Sequence, residues 1–173
     1  LDLSPKCKFL NTILLRELLQ RFLEVLLVLL GETYTGSQSP GVWNQTGNWS
    51  PATVPGSGDS AIFNTDATFT DFDGQSVGSI QSTSWTLKFD AYETFTMDNL
   101  GSDAVMDCYV LQFLDAEIQF ADDLDINVSR EFFTTNTIIT GNGTLHISAG
   151  GFGWKVGSNT IVDANTLDVS GTY

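Results

Sequence analysis

Two periodicities divide the chain. From Phe9 to Leu30, in FLNTILLRELLQRFLEVLLVLL, Leu, Ile and Phe recur at spacings of three and four, interrupted by Arg16, Glu17, Gln20, Arg21 and Glu24 and followed by Gly31. Spacings of this kind gather apolar side chains on one helical face and predict an α-helix, amphipathic at first and apolar all round at its end. After Asp59 the period becomes two. In WTLKFDAYETFTM, Trp85, Leu87, Phe89, Ala91, Phe95 and Met97 fall on one parity, and Thr86, Lys88, Asp90, Thr94 and Thr96 on the other. In LDAEIQFADDLDINVS, Leu114, Ala116, Ile118, Phe120, Leu124, Ile126 and Val128 alternate with Asp115, Glu117, Gln119, Asp123, Asp125 and Asn127. This pattern predicts strands with one wet face.

Two segments of this alternating region can be overlaid. TIITGNGTLHISAG, Thr137 to Gly150, and TIVDANTLDVSG, Thr160 to Gly171, align at an offset of 22 to 23 residues with one residue dropped, matching Thr137 with Thr160, Leu145 with Leu167 and Ile147 with Val169. A unit of two short strands at such a period cannot bury its apolar face alone, so it predicts one coil of a parallel β-solenoid, buried by stacking on the next. A sandwich or barrel also has short alternating strands, but gives them no reason to recur at one spacing with the same residues inward. The overlay puts His146 where Asp168 sits, on the outward parity, which makes the single histidine a solvent-facing strand residue.

Charge sharpens the division. Residues 1–42 are neutral, with Lys6, Lys8, Arg16 and Arg21 against Asp2, Glu17, Glu24 and Glu32; from Trp43 onward Lys88, Arg130 and Lys155 face 17 acids, so the whole net charge of -14 lies there. A surface this acidic repels phosphate backbones and anionic membranes, so nucleic acid is not an expected partner. For the leading segment three readings stand: a transmembrane span, disfavoured because the longest uninterrupted apolar run is only Val25 to Leu30; a secretory signal, with Lys6 and Lys8 at its start but a poor cleavage site; and a capping or packing helix, or sequence upstream of the true start. The chain starts at Leu1 and stops within the strand pattern LDVSGTY, and so reads as a fragment of something longer. The expected organisation is a helix over 1–31, acting as export signal or cap, a Gly/Ser/Pro-rich lead-in loop over 32–58, and an incomplete solenoid domain over 59–173.

The stretch WNQTGNWSPATVPGSGDSAIF, Trp43 to Phe63, then adds a resemblance. Trp43, Asn48, Trp49, Val54, Pro55, Gly56, Gly58 and Asp59 match the opening of passenger regions of bacterial autotransporters and related β-helical surface proteins, and DFDGQSVGSIQSTSWTLKF resembles their first coil, with Val77, Ile80, Trp85, Leu87 and Phe89 inward. The resemblance is specific only as far as about Phe89, and the leucine-rich start departs from the usual export signal. It implies an all-β, right-handed parallel β-helix of pectin-lyase-like form, exported to the cell surface, serving adhesion or aggregation, with a membrane-anchoring barrel further along the gene. Physically, an open β-helix end exposes strand edges and core. Two tryptophans suit a lid over it, the alternative being a sugar-stacking platform.

Candidate chemistry is sparse. Asp115, Glu117, Asp122, Asp123 and Asp125 cluster in sequence, but nothing singles out the two carboxylates at fixed separation that glycoside hydrolysis needs, and Arg130 is the lone nearby candidate for a lyase base. GGFGWK, Gly150 to Lys155, misses the calcium-binding Gly-Gly-x-Gly-x-Asp turn by placing Lys155 where the liganding Asp belongs. Cys7 and Cys108 have neither metal-type nor redox-type spacing, and Cys108 in MDCYV reads as a small buried apolar residue. No Gly-x-Ser-x-Gly elbow or Cys–His pairing offers an activated nucleophile. The expectation is therefore a structural, non-enzymatic surface solenoid of the adhesin type, with no catalytic, cofactor-binding or metal residues. It would be secreted or cell-surface, and its partners would be surface glycans or proteins of a host or neighbouring cell, or further copies of itself. The runner-up is a carbohydrate-active or carbohydrate-binding β-helix of the polysaccharide lyase or tailspike kind.

Overall fold

The computed structural model describes residues 31–37 and 41–171. The helix expected over Phe9–Leu30 lies outside the described residues, as does Cys7. In chain order the strands are β1 (Glu32–Tyr34), β2 (Trp49–Ser50), β3 (Ser60–Phe63), β4 (Ala67–Phe69), β5 (Gln75–Val77), β6 (Ser79–Met97), β7 (Ala104–Phe120), β8 (Leu124–Thr135), β9 (Ile138–Gly141), β10 (Thr144–Ala149), β11 (Trp154–Val156), β12 (Ile161–Asp163) and β13 (Thr166–Gly171). No α-helix occurs among the described residues.

The long strands β6, β7 and β8 wrap around corners. Their ladders break register between Ser82 and Thr86, between Asp90 and Glu93, and between Cys108 and Val110, and each break turns the chain onto a new face. Three parallel faces result. On the first, β3, the starts of β6, β7 and β8, then β10 and β13 stack in that order. On the second, β4, the middles of β6 and β7, the end of β8 and β11 stack. On the third, β5, the ends of β6 and β7, then β9 and β12 stack. This is a β-solenoid of stacked parallel coils. The repeat read from the sequence is its last step: β10 lies on β13 with Leu145 opposite Leu167 and Ile147 opposite Val169, and β9 lies on β12 with Ile138 opposite Ile161.

The alternation fixes what fills the bore. Ala61, Ile80, Met106, Ile126, Ile147 and Val169 form one inward column of the first face, each a ladder partner of the next. An aromatic series runs inside along the second face: Phe69 to Phe89 at 5.6 Å, Phe89 to Phe113 at 5.6 Å, Phe113 to Phe132 at 5.5 Å, and Phe132 stacked on Trp154 at 5.5 Å. Each fully buried large apolar side chain contributes about 1.5–3 kcal/mol, and each aromatic pair about 0.5–1.5 kcal/mol more. On the third face Gly141 lies opposite Phe120, and a Cβ there would come within 2.5 Å of the ring, so the glycine makes room for it.

Two residues depart from the simple parity. Trp85, expected inward, is 42% exposed, because it sits in the corner where β6 breaks register and side-chain direction no longer alternates. Leu114, also expected inward, is only half-buried while Phe113 is fully buried; Asp115, with φ of 54°, turns the corner between them and Ala116 and resets the parity.

The first described segment closes one end. β1 pairs in parallel with β3 and antiparallel with β2, so the stretch read as a lead-in loop contributes two strands to the sheet. Trp43 and Trp49 are buried, 4.9 Å apart, and the Trp49 indole N–H donates to the Trp43 carbonyl at 2.8 Å. Trp43 reaches further in, to 5.0 Å from Phe69 and 4.7 Å from Phe95, so it plugs the bore as well as covering it. Both indoles being buried, they cannot serve as a sugar-stacking platform. The Val54–Asp59 stretch is the step into the first coil. Asp59 accepts from the Gly56 N–H at 2.9 Å, Gly58 takes φ of 80°, and the Asp59 carbonyl accepts from the N–H groups of Gly78 and Ser79 in the next coil.

Candidate functional site

The carboxylates that cluster in sequence separate in space. Asp115 turns the corner between the second and third faces, where it accepts from the Asn136 side-chain amide at 2.8 Å; Asn136 in turn accepts from Asn159 at 2.9 Å. All three have positive φ, near 54°, 46° and 55°, which Asn and Asp tolerate better than other residues with a Cβ. Glu117, on the third face, accepts from Gln119 and Thr94 and shares with Asp115, Glu93 and the exposed Tyr92 a shallow cleft of about 170 Å³. Hydrogen bonding to the Asp115 carboxylate, and its charge, push the Tyr92 hydroxyl up from its ordinary value. Asp123 instead sits ahead of the first face, accepting from the Thr144 N–H at 2.6 Å, and Asp125 lies beside His146 in the ladder. Arg130 is at a different corner, between the first and second faces, so the structure does not bring it to Asp115 or Glu117.

The remaining sequence candidates have local partners. His146 is outward, its Nδ1 3.5 Å from a carboxylate oxygen of Asp168, as the overlay implies. Lys155, in the position that spoiled the calcium turn, pairs with Glu131 at 3.1 Å, and Gly151 and Gly153 turn the chain with φ of 56° and 73°.

Cys108 is buried on the first face, and burial, with a smaller effect from Asp107, pushes its thiol far above the ordinary range. The folded state holds the neutral thiol where the unfolded chain would ionise. Stability is therefore complete below the ordinary thiol value of about 8.5 and falls above it, by about 1.4 kcal/mol per pH unit. With Cys7 replaced by Ser, urea midpoints between pH 7 and 10 are expected to fall above about pH 8.5, and a thiol reagent should label Cys108 only on unfolding. Rapid labelling of the folded protein would show that the thiol is accessible.

The first corner holds what the sequence did not disclose. Thr86 pairs with Val110 and Val110 with Glu131, which makes Trp85, Tyr109 and Arg130 the equivalent corner residues of three successive coils. Phe152 follows Arg130 on the next coil, its N–H donating to the Arg130 carbonyl at 2.7 Å. The Arg130 guanidinium bonds the Tyr109 hydroxyl at 3.0 Å and lies over both rings, 5.5 Å from Tyr109 and 5.6 Å from Phe152; Lys155 lies 5.3 Å from the Phe152 ring. Beside this column, on the first-face side, a cleft of about 370 Å³ is lined by Thr83, Asp107, Asn127, Ser129 and Ser148 among others, with the Asn127 amide donating to Asp107 at 3.0 Å. Family models, curated proteins and solved structures were compared with the chain, and none matches.

Proposed function

We propose that this protein is a secreted or cell-surface β-solenoid of the adhesin type, a rigid stack that presents an ordered outer face for binding or self-association and does no catalysis. The observation that carries this reading is the in-register outer surface. Asp107 with Asn127, Asp115 with Asn136 and Asn159, Ser57 with Ser76, and Ser60 with Ser79 are hydrogen-bonded from coil to coil, so polar groups are held in lines along the axis. Groups fixed in this way lose little conformational freedom when a long partner lies across them. Its resemblance to autotransporter passengers over Trp43 to about Phe89 supports the same reading, and so does the placement of Arg130 on a different corner from Asp115 and Glu117, which separates that base from those carboxylates. Partners would be glycans or proteins of a host or neighbouring-cell surface, or a second copy.

Beads coated with the full chain are expected to adhere to cells or to one another, while the soluble chain releases no unsaturated sugar from acidic polysaccharides with or without calcium. Sustained turnover in that assay would overturn the reading in favour of a polysaccharide lyase, and beads that neither adhere nor aggregate would overturn it as an adhesin.

A further inference from the structure

We propose that the corner column Trp85–Tyr109–Arg130–Phe152, with the cleft beside it, is a binding site for a neutral glycan chain lying along the solenoid axis. This deepens the adhesin reading and rests on it.

Geometry sets the orientation. Successive coils are about 4.8 Å apart, close to the length of one pyranose unit, so the column from Trp85 to Phe152 covers roughly 14 Å. Three of its four positions are aromatic, and two of them are well exposed, Trp85 at 42% and Phe152 at 60%. Sugar rings present apolar C–H faces to aromatic side chains and hydroxyls to polar ones. Here the aromatic edge runs beside a largely apolar cleft whose lining carries a few polar groups, Asp107, Asn127 and Ser129 among them, and the cleft volume of about 370 Å³ falls within the range of small-molecule sites. Asp107 and Asn127, fixed to each other at 3.0 Å, together offer planar donor and acceptor groups to adjacent hydroxyls.

The cations brace the platform. Arg130 bridges Tyr109 and Phe152, and Lys155 holds Phe152 from its other neighbour Glu131, so the rings are positioned before a ligand arrives. With 60% of its surface free, Phe152 is supported by them and not covered.

Charge selects the ligand class. Arg130 and Lys155 are two of the three bases against 17 acids from Trp43 onward. Lys155 is already neutralised by Glu131, and Asp107 lies in the cleft itself, so no surplus positive charge remains there. A polyanion approaching this corner meets the repulsion of the whole acidic surface. A neutral chain does not, and its binding should change little with salt.

The test titrates the full chain with soluble neutral glycans (dextran, laminarin, xyloglucan) and with two polyanions, polygalacturonate and dextran sulfate. Calorimetry and tryptophan fluorescence report binding. At least one neutral glycan is expected to bind with little salt dependence and to alter the emission. Phe152→Ala and Trp85→Ala should each weaken binding about tenfold or more; Phe152→Ala, at 60% exposed, should barely move the melting temperature, and Trp85→Ala, at 42% exposed, should lower it while the far-UV circular dichroism keeps the folded signal. Tyr92→Ala, on the far corner, should have no effect. Binding confined to the polyanions, binding indifferent to Phe152→Ala and Trp85→Ala, or no binding by any glycan each overturns the inference. The bead assay decides the adhesin reading independently, because beads that still adhere while every glycan fails leave that reading standing without this site.

Discussion

Trp43→Ala is expected to cost about 3–5 kcal/mol, the range for removing a fully buried large aromatic side chain. Trp43 has no exposed surface, and its ring packs on Trp49, Phe63, Phe69, Phe89 and Phe95 at centroid distances from 4.7 to 6.3 Å. Removing it opens a cavity in the bore and takes from Trp49 the nearest of its three ring partners, leaving Tyr34 and Phe63. Because coils stabilise one another through nearest neighbours, the loss should appear first as fraying from this end. Hydrogen exchange is expected to quicken in β3 and β4 while β10 stays protected, and urea unfolding should shift to lower concentration. Trp43→Phe, which keeps a ring in the bore, should lose much less. A shift in Trp43→Ala below about 1 kcal/mol, or exchange quickening uniformly over all coils, would mean that Trp43 does not close the stack.

Gly143→Ala should be nearly as damaging, for a reason that has nothing to do with helix or strand propensity. A Cβ at Gly143 would lie 2.3 Å from the Asp122 carbonyl oxygen and 2.6 Å from its carbonyl carbon, both backbone atoms of the preceding coil. Neither can swing away without parting the turn from its neighbour, where Asp123 also accepts the Thr144 N–H. The expected cost is about 3 kcal/mol, the upper part of the range for overpacking. Gly74→Ala is the comparison: its φ of 66° strains any residue with a Cβ, but nothing lies within 4 Å, so the loss should be about 1 kcal/mol. Chemical denaturation of the two variants distinguishes them, and equal losses would show that backbone strain and not close approach governs these turns.

The legibility of the solenoid from sequence was uneven, and the ladder explains why. Partners on the first face are Ser60 and Ser79, Ser79 and Val105, Val105 and Asp125, Asp125 and His146, and His146 and Asp168, steps of 19, 26, 20, 21 and 22 residues. Only the last two coils are alike enough in length and residues to be overlaid by eye. In the earlier coils the straight segments keep their alternation, while the corners take up insertions of different length. Trp85 and Leu114 depart from the parity of their neighbours for this reason, since a period of two carries through a straight strand and is lost at a corner.

Alternation within LHI and LDV determined by itself which residues of β10 and β13 face inward, and the run from Trp43 through Asp59 marked the plug and the first step into the stack. These are local matters, set by side-chain chemistry and the pleat of a strand. The corner column was decided only by tertiary structure. Trp85, Tyr109, Arg130 and Phe152 are separated by 24, 21 and 22 residues and belong to no common motif. Hydrogen bonds along the faces bring each coil into register with the next, and side chains with no sequence relation are thereby aligned at one corner.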